Sequence, residues 1–424
     1  MADDTDGTTS SSASRRRFLG GALGAVGVVA AGSAGFGVAR ASEPDASSTS
    51  KARPRVPFYA KHQAGIATPA QDRLAFAAFD VTAYDKQSVA VLMGEWAAAA
   101  AQMTKGLPIG SIETQPQNPP IDTGEALGLG ASNLTVTVGF GPSLFDKRFG
   151  LASKKPAALA DLPPLPGDQL RKELSGGDLC VQACADDPTV AFHVIRNFAR
   201  IARGTAVMKW SQLGFGRTAS TSIHQPTERN LLGFKDGTKN IKDQDVSDFD
   251  DYVWVGDETD QDWMKGGSYL VSRRIAMHIE SWDTDYLADQ ENVIGRKKVS
   301  GAPLTGTHEF DAIDFAAKRK NGKPVIEQNA HIRLAAPQFN GGQKILRRGY
   351  SYTDGIDPDT GLLDAGLFFI AYQKNPHDQF VRIQRKLGQY DLLNEYIEHT
   401  GSALFAVPPG LSEPGDWWGK SILT

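Results

Sequence analysis

The chain has 424 residues, a formal net charge of −4 and 41% hydrophobic residues, which is the composition of a globular protein long enough for two domains. The nearly balanced charge gives no electrostatic signature of nucleic-acid binding, so we expect no nucleic acid among its partners.

The first segment is a predicted export signal. The stretch SRRRFLGGALGAVGVVAAGSAGFGVARAS begins at Ser14, opens with consecutive arginines and ends in a small-x-small cleavage pattern at residues 39–41. Twin arginines before a weakly apolar, glycine-rich run are typical of a Tat signal, so we assign residues 1–41 to one. The alternative is an uncleaved membrane anchor, which the glycines and the cleavage pattern disfavour. Export would place the mature chain in the periplasm, at the cell surface or outside the cell.

Two pairs of segments suggest an internal duplication. Residues 177–198 and 365–387 both begin with a strand pattern, stop at an Asp-Pro or Asn-Pro and continue with helical periodicity. The stretches that begin at Arg73 and Gly266 form a weaker pair, each a strand followed by a helix. This order is typical of a split βαβ unit. We therefore predict an α+β fold of two related antiparallel sheets with outer helices, built from residues 55–220 and 221–424.

The two cysteines, Cys180 and Cys184, lie on the first of these predicted strands. Four residues along a strand span about 13 Å, which is too far for a disulfide, so we expect two buried free thiols. The absence of a C-x-x-C-H motif excludes a covalent c-type haem. The eight histidines are not paired at metal-ligand spacing, so we expect no closed zinc site.

Three stretches carry candidate chemistry. GFKDGT places Asp236 in a tight turn, where the ordinary interpretation is turn formation and the alternative is a positioned base. NAHIRLAAPQ places His331 and Arg333 on one face of a predicted strand, which would suit a haem that needs an axial ligand and a cation. KILRRGYSYTDG places Arg347 and Arg348 on opposite faces of a probable strand, where surface charge on an edge is the alternative.

These motifs together resemble one family. GFKDGT, HIRLAAP and LRRGYSY, in this order, are similar to the dye-decolourising peroxidases, and most of all to their Tat-exported deferrochelatase/peroxidase branch. FYAKHQAGI, VGFGPSLF and GLFFIAYQ extend the resemblance from Phe58 to about Pro409. It implies two ferredoxin-like domains of the dimeric α+β barrel type, with one haem b per chain in the C-terminal half. It also implies a peroxidase that reduces hydrogen peroxide and oxidises a broad range of donors, such as dyes and phenolics.

The resemblance assigns the central residues of the site. Asp236 falls on the distal acid–base residue, Arg347 on the distal arginine and His331 on the proximal iron ligand. This agrees with the chemistry, because an aspartate can carry a proton from one peroxide oxygen to the other and a cation can stabilise the charge that develops. After the turn the chain reads TKNIKD where many relatives have Asn-Pro, which leaves Thr238 and Asn240 open as cofactor contacts.

The remaining assignments concern the surroundings of the haem. Arg333 falls on a propionate contact, and Phe369 or Phe368 would line the distal side. An acidic residue usually orients the proximal histidine in this family, and Asp391 is the candidate partner of His331.

Two other functions stay open at this point. One is a haem-handling protein in iron acquisition, which would release iron from haem and work with a membrane iron-uptake permease. The other is an exported binding module of the same fold without a cofactor. A carrier has no need of a distal acid and cation, so Asp236 and Arg347 favour the peroxidase. The sequence leaves open the electron donor and whether the chain forms a homo-oligomer.

Overall fold

The structure is a computed structural model that describes residues 55–358 and 360–424, so the predicted export signal lies outside the described residues. In that part of the chain the strands are β1 (Arg73–Val81), β2 (Thr135–Phe140), β3 (Leu179–Ala185), β4 (Ala206–Arg217), β5 (Ser268–Met277), β6 (Leu346–Arg347), β7 (Tyr350–Ile356), β8 (Leu363–Gln373) and β9 (Ile397–Val407). The α-helices are α1 (Lys86–Met103), α2 (Pro188–Ile201), α3 (Val246–Tyr252), α4 (Ile279–Thr284), α5 (Leu287–Ile294), α6 (His331–Ala335), α7 (Phe380–Tyr390) and α8 (Lys420–Leu423). None of these helices has the length and apolar character that a membrane crossing requires.

The first four strands form a ferredoxin-like unit. They are antiparallel in the order β2-β3-β1-β4, with α1 after β1 and α2 after β3. Aspartates begin both helices: the Asp85 carboxylate accepts the N–H of Ser88, and the Asp187 carboxylate accepts the N–H groups of Thr189 and Val190. Such side chains supply acceptors for the first N–H groups of a helix, which otherwise lack partners.

The last strands repeat this arrangement. Their order is β9-β5-β8-β7, again antiparallel, with α7 after β8. The short strand β6 pairs with the same strand, β8, in the register that β7 continues. The predicted α+β fold of two related units is confirmed.

The two units join at both edges. Phe140 of β2 pairs with Ala406 of β9, and Phe215 of β4 pairs with Ser351 of β7. With β5 paired to β8, eight strands close into a ring, so the two expected sheets are one continuous barrel. The domain bounds at residues 55–220 and 221–424 stay a prediction.

Alternating strand residues divide the core between the inside and the outside of the ring. Phe76 and Phe368 belong to a cluster of buried residues from both units, whereas Ala77 lies in the cluster that packs against α1 and α2. Cys180 and Cys184 are free and buried in the same cluster as Phe76, as predicted. A third cluster covers the outer side of the C-terminal unit, and the candidate site lies beside it.

One sequence prediction about the motifs is wrong, and one alternative is excluded. His331–Ala335 is a helical turn and not a strand, so His331 and Arg333 do not share a face. A short apolar run gives no decisive period, and a helical turn satisfies backbone groups locally where a strand would need a neighbour. The alternative of surface charge is excluded for Arg348, which is fully buried and donates to the carbonyl oxygen of Thr68 and to Oε1 of Gln71.

Candidate active site

The turn that carries Asp236 depends on its glycines. Gly233 and Gly237 have φ values of +83° and +91°, a region that favours glycine. A Cβ on Gly237 would also lie 2.8 Å from the Cα of Ala219, so the turn is pressed against the neighbouring backbone. The N–H of Asp236 donates to the carbonyl oxygen of Glu228 at 2.9 Å. The sequence GFKDGT therefore holds one carboxylate in a fixed place.

Asp236 forms an ion pair with Arg347. Nη1 of Arg347 donates to Oδ1 of Asp236 at 2.5 Å, and the two side chains are 28% and 16% exposed. Among the described residues, the other carboxylate oxygen, Oδ2, has only a long contact of 3.4 Å with Nδ2 of Asn230. Charge-assisted hydrogen bonds of this kind are short and directional. One oxygen of Asp236 is thus engaged while the other keeps most of its capacity to accept a proton.

A second carboxylate, that of Glu309, lies outside the GFKDGT motif and stabilises this turn. Glu309 accepts hydrogen bonds from Nζ of Lys235 and, at 3.0 Å, from Oγ1 of Thr238. Burial acts to raise the pKa of Glu309, but hydrogen bonds from Lys235, Thr227 and Thr238 outweigh it and the pKa is lowered. Sequence reasoning missed Glu309, because nothing in its local sequence points to a turn 71 residues away.

His331 forms the second pair, with Asp391. Nδ1 of His331 lies 2.6 Å from Oδ2 of Asp391, whose side chain is only 2% exposed. Oδ1 of Asp391 accepts the N–H of Leu393 at 2.9 Å, which fixes the carboxylate. A backbone hydrogen bond from the N–H of Leu392 to the carbonyl oxygen of Asn329 joins the two segments. The histidine is therefore held at the first residue of α6 in one orientation.

The two pairs lie close enough to influence each other. Burial is the largest influence on the pKa of His331 and lowers it, but Asp391, with a smaller contribution from Asp236, outweighs burial and the pKa is raised. Arg347 acts weakly in the opposite direction. Phe234, two residues before Asp236, belongs to the outer cluster against which Ile332 of α6 packs, so both pairs lie on the outer side of the C-terminal unit.

These residues fit a haem iron. The side chain of His331 is 33% exposed, and its Nε2 has no hydrogen-bond partner within residues 55–358 and 360–424. An imidazole with a carboxylate on one nitrogen and a lone pair on the other is the usual form of a metal-binding histidine. The Asp236–Arg347 pair supplies an acid–base group and a cation in the same region.

The other predicted contacts, Arg333, Phe369 and Phe368, lie in different surroundings. Arg333 donates to the carbonyl oxygen of Phe315 at 2.8 Å, and its guanidinium carbon lies 4.8 Å from the ring centroid of Phe339. Phe369 packs against the outer cluster of the C-terminal unit, whereas Phe368 is buried in the cluster inside the ring. Of the two phenylalanines, only Phe369 shares the outer side of the barrel with α6.

The chain matches the sequence models of one family over both halves. Residues 63–216 match the N-terminal part of the Dyp-type peroxidases, and residues 227–412 match the C-terminal part. It is 36% identical to a protein of Escherichia coli K12 named deferrochelatase, over 97% of each chain. A deferrochelatase of Yersinia pestis is 37% identical, over 96% of this chain and 94% of the relative.

Solved structures agree with these matches. A DyP-type peroxidase from Streptomyces coelicolor is 42% identical, with a TM-score of 0.81 over 88% of this chain and 98% of that chain. Ferric DtpA from Streptomyces lividans is 41% identical, with a TM-score of 0.80 over the same shares. The chain therefore belongs to the Dyp-type peroxidase family, as a haem peroxidase that consumes hydrogen peroxide and a reducing substrate.

Proposed function

We propose that the chain is an exported haem b peroxidase in which Asp236 moves the peroxide proton, Arg347 stabilises developing charge, His331 binds the iron and Asp391 orients His331. The observation that carries this proposal is the pairing of four side chains from distant parts of the sequence. Asp236 with Arg347 supplies an acid–base group beside a cation, and His331 with Asp391 supplies an oriented imidazole.

The contacts of Asp236 indicate which atom would carry the proton. Haem, when bound, would supply the iron at which the oxygen–oxygen bond of the peroxide is broken. Because Oδ1 is engaged by Arg347, Oδ2 of Asp236 would take the proton from one peroxide oxygen and return it to the other. Arg347 has donors beyond the one used by Asp236, and these would stabilise negative charge on the departing oxygen.

His331 and Asp391 would prepare the iron ligand. Asp391 would accept a hydrogen bond from the N–H of Nδ1, which leaves the lone pair on Nε2 for the metal and makes the imidazole a stronger ligand. The fixed carboxylate also prevents rotation of the ring. The imidazole would then meet the iron without reorganisation.

The other predicted contacts keep more modest roles. Arg333 remains the proposed propionate contact, since its guanidinium has donors beyond the one given to Phe315. Phe369 is the proposed aromatic wall of the distal side. The hydroxyl of Thr238 donates to Glu309, which favours a role in holding the turn over direct contact with the cofactor.

A second candidate function is the release of iron from haem. Curated relatives that match nearly the whole chain are named deferrochelatase, which favours this candidate. The test is anaerobic incubation of the protein with haem and detection of metal-free porphyrin by fluorescence. Porphyrin in stoichiometric excess over protein would support iron release, and its absence would leave the peroxidase alone. Partnership with a membrane iron-uptake permease belongs to this second candidate.

The main proposal is tested with an absorption spectrum of the folded protein loaded with haem, before and after one equivalent of hydrogen peroxide. We expect a Soret band that shifts rapidly in the parent and slowly in Asp236→Asn. A band that peroxide leaves unchanged would contradict the peroxidase roles, and failure to retain haem would contradict the role of His331. Export is tested separately by replacing Arg15 and Arg16 with lysine, which should retain the precursor in the cytoplasm.

A further inference from the structure

The side chain of Asn240 forms hydrogen bonds with both the N–H and the carbonyl oxygen of Arg347. The N–H of Arg347 donates to Oδ1 of Asn240 at 2.8 Å, and Nδ2 of Asn240 donates to the carbonyl oxygen of Arg347 at 2.8 Å. These two bonds have the donor and acceptor pattern that a neighbouring strand would offer. One carboxamide thus replaces a strand at this point of the sheet.

The position of Arg347 explains why such a replacement is needed. Strand β6 is two residues long and pairs with β8 on one side only. The next N–H, of Arg348, donates to the carbonyl oxygen of Ile370 in β8, so the backbone groups of Arg347 point to the opposite edge. Strand β4, which pairs with Tyr350 further along that edge, forms no ladder with Arg347. Without Asn240 the polar backbone groups of Arg347 would lack these partners.

Asn240 is also tied to the turn that carries Asp236. Its N–H donates to the carbonyl oxygen of Gly237 at 3.0 Å, and its second Nδ2 hydrogen bond reaches the carbonyl oxygen of Ser220 at 3.2 Å. Asn240 is only 6% exposed, so water does not compete strongly for these bonds. The same residue therefore contacts both the segment of the acid and the segment of the arginine.

We propose that Asn240 is the positioning residue of the peroxide site, setting the distance between the guanidinium of Arg347 and the carboxylate of Asp236. This inference rests on the roles proposed above for those two residues. Asn240 itself takes no part in proton transfer. It acts by fixing the backbone from which the Arg347 side chain extends, because a displacement of about 1 Å can slow a reaction on the order of 100-fold.

Two substitutions separate geometry from charge. Asn240→Ala removes the carboxamide without adding charge, and Asn240→Asp keeps its size while turning two donated hydrogen bonds into repulsion between oxygens. Arg347→Ala is the reference for complete loss of the guanidinium. Asn197→Ala and Asn197→Asp are matched controls, since Asn197 is fully buried and donates through Nδ2 to Thr123 and to the His193 carbonyl in the N-terminal unit.

The experiment measures haem content, the rate constant for reaction with peroxide and the affinity of the ferric haem-loaded protein for cyanide. Cyanide binding reports on a nearby cation without turnover. We expect both Asn240 variants to retain haem, to react with peroxide about 10- to 100-fold more slowly and to bind cyanide more weakly. The Asn197 variants should match the parent in all three measurements.

Each other outcome has a distinct meaning. A normal peroxide rate in Arg347→Ala would overturn the proposed function itself. A slow Arg347→Ala together with a normal Asn240→Ala would overturn only the positioning role. A slow reaction in Asn240→Asp but not in Asn240→Ala would show that the added charge causes the effect, and it would also overturn the positioning role. Should Asn240→Ala not fold, Asn240→Ser replaces it as the uncharged variant and decides by the same comparison.

Discussion

Asp391→Asn is the substitution that tests the proximal pair most directly. The variant keeps the shape of the side chain but loses its charge, and one amide group cannot accept both hydrogen bonds that Asp391 accepts. If the amide oxygen keeps the N–H of Leu393, the amide N–H₂ faces Nδ1 of His331. The imidazole would then carry its proton on Nε2, the atom that is proposed to bind the iron.

The geometry allows a rough magnitude. Removing a hydrogen-bonded carboxylate from behind a metal-binding histidine typically costs about 10- to 100-fold in affinity or activity. The contact of 2.6 Å is at the short end for a charge-assisted bond, and Asp391 is too buried for solvent to screen it. We therefore expect the upper part of the range, which is roughly 2–3 kcal/mol in haem-binding free energy.

The assay is transfer of haem from the loaded protein to excess apomyoglobin, followed at the Soret band, together with the ferric/ferrous midpoint potential. The rate of haem loss should rise towards 100-fold, on the order expected above, and the potential should become more positive. Asp187→Asn is the control, since Asp187 likewise accepts backbone N–H groups and contacts no histidine among the residues that the structure describes. Unchanged haem loss and potential in Asp391→Asn would refute the reasoning.

Four further predictions concern other residues of the site. Asp236→Asn should retain haem while its reaction with peroxide, measured by stopped flow, slows by about 10²- to 10⁴-fold. His331→Ala should fail to retain haem, as measured by the ratio of Soret to protein absorbance after gel filtration. Gly237→Ala should lower the free energy of unfolding in urea by about 1–3 kcal/mol or more, because φ is +91° and the new Cβ meets the Ala219 backbone. Burial, with a smaller effect of Arg347, lowers the pKa of Lys242 from its ordinary 10.5 to about 8. Between these two pH values the unfolded chain therefore binds more protons than the folded chain. The free energy of unfolding should therefore rise with pH between these values, and the rise should shrink in Lys242→Met.

Each of these expectations has a contrary result. An Asp236→Asn variant that reacts with peroxide as fast as the parent would remove the acid–base role. Full haem retention with an unaltered spectrum in His331→Ala would assign the iron to another ligand. Parent-like unfolding of Gly237→Ala would mean that the turn relaxes without cost. An identical pH dependence in Lys242→Met would show that Lys242 does not titrate in this window.

The fold was predictable because its signals are local. The strand patterns in the stretches that begin at Arg73 and Gly266 and the helix start at Pro188 identify elements one at a time, and their order identifies the unit. The helical turn at His331 was not predictable, since five residues support a strand pattern as well as a helical one. What decides between them is the absence of a neighbouring strand, which is a property of the whole fold.

The supporting residues of the site could not be found in the same way. Asn240 contacts Arg347 across 107 positions and Glu309 contacts Thr238 across 71, and neither pair has a spacing or composition that marks it in the sequence. The resemblance to the family implies an acidic partner for His331 but does not fix its position in the sequence, so the sequence offers Asp391 only as a candidate. Geometry supplied the contacts in each case, whereas the roles of His331, Asp236 and Arg347 are predicted from the order of the family motifs and stay proposals.

The position of the site in only one of two similar units has a structural cause. In the N-terminal unit the connection after β1 is the 18-residue helix α1, whose buried alanines and Trp96 cover the outer side of the sheet. In the C-terminal unit the corresponding connection after β5 contains α4, α5 and α6, which have 6, 8 and 5 residues. Trp282 of α4 and Ile294 of α5 pack on the outer side of this sheet, whereas α6 places His331 beside their cluster with its side chain 33% exposed. The segmented connection in the C-terminal unit thus leaves room beside the sheet for the proposed haem site, where the N-terminal unit has one long helix.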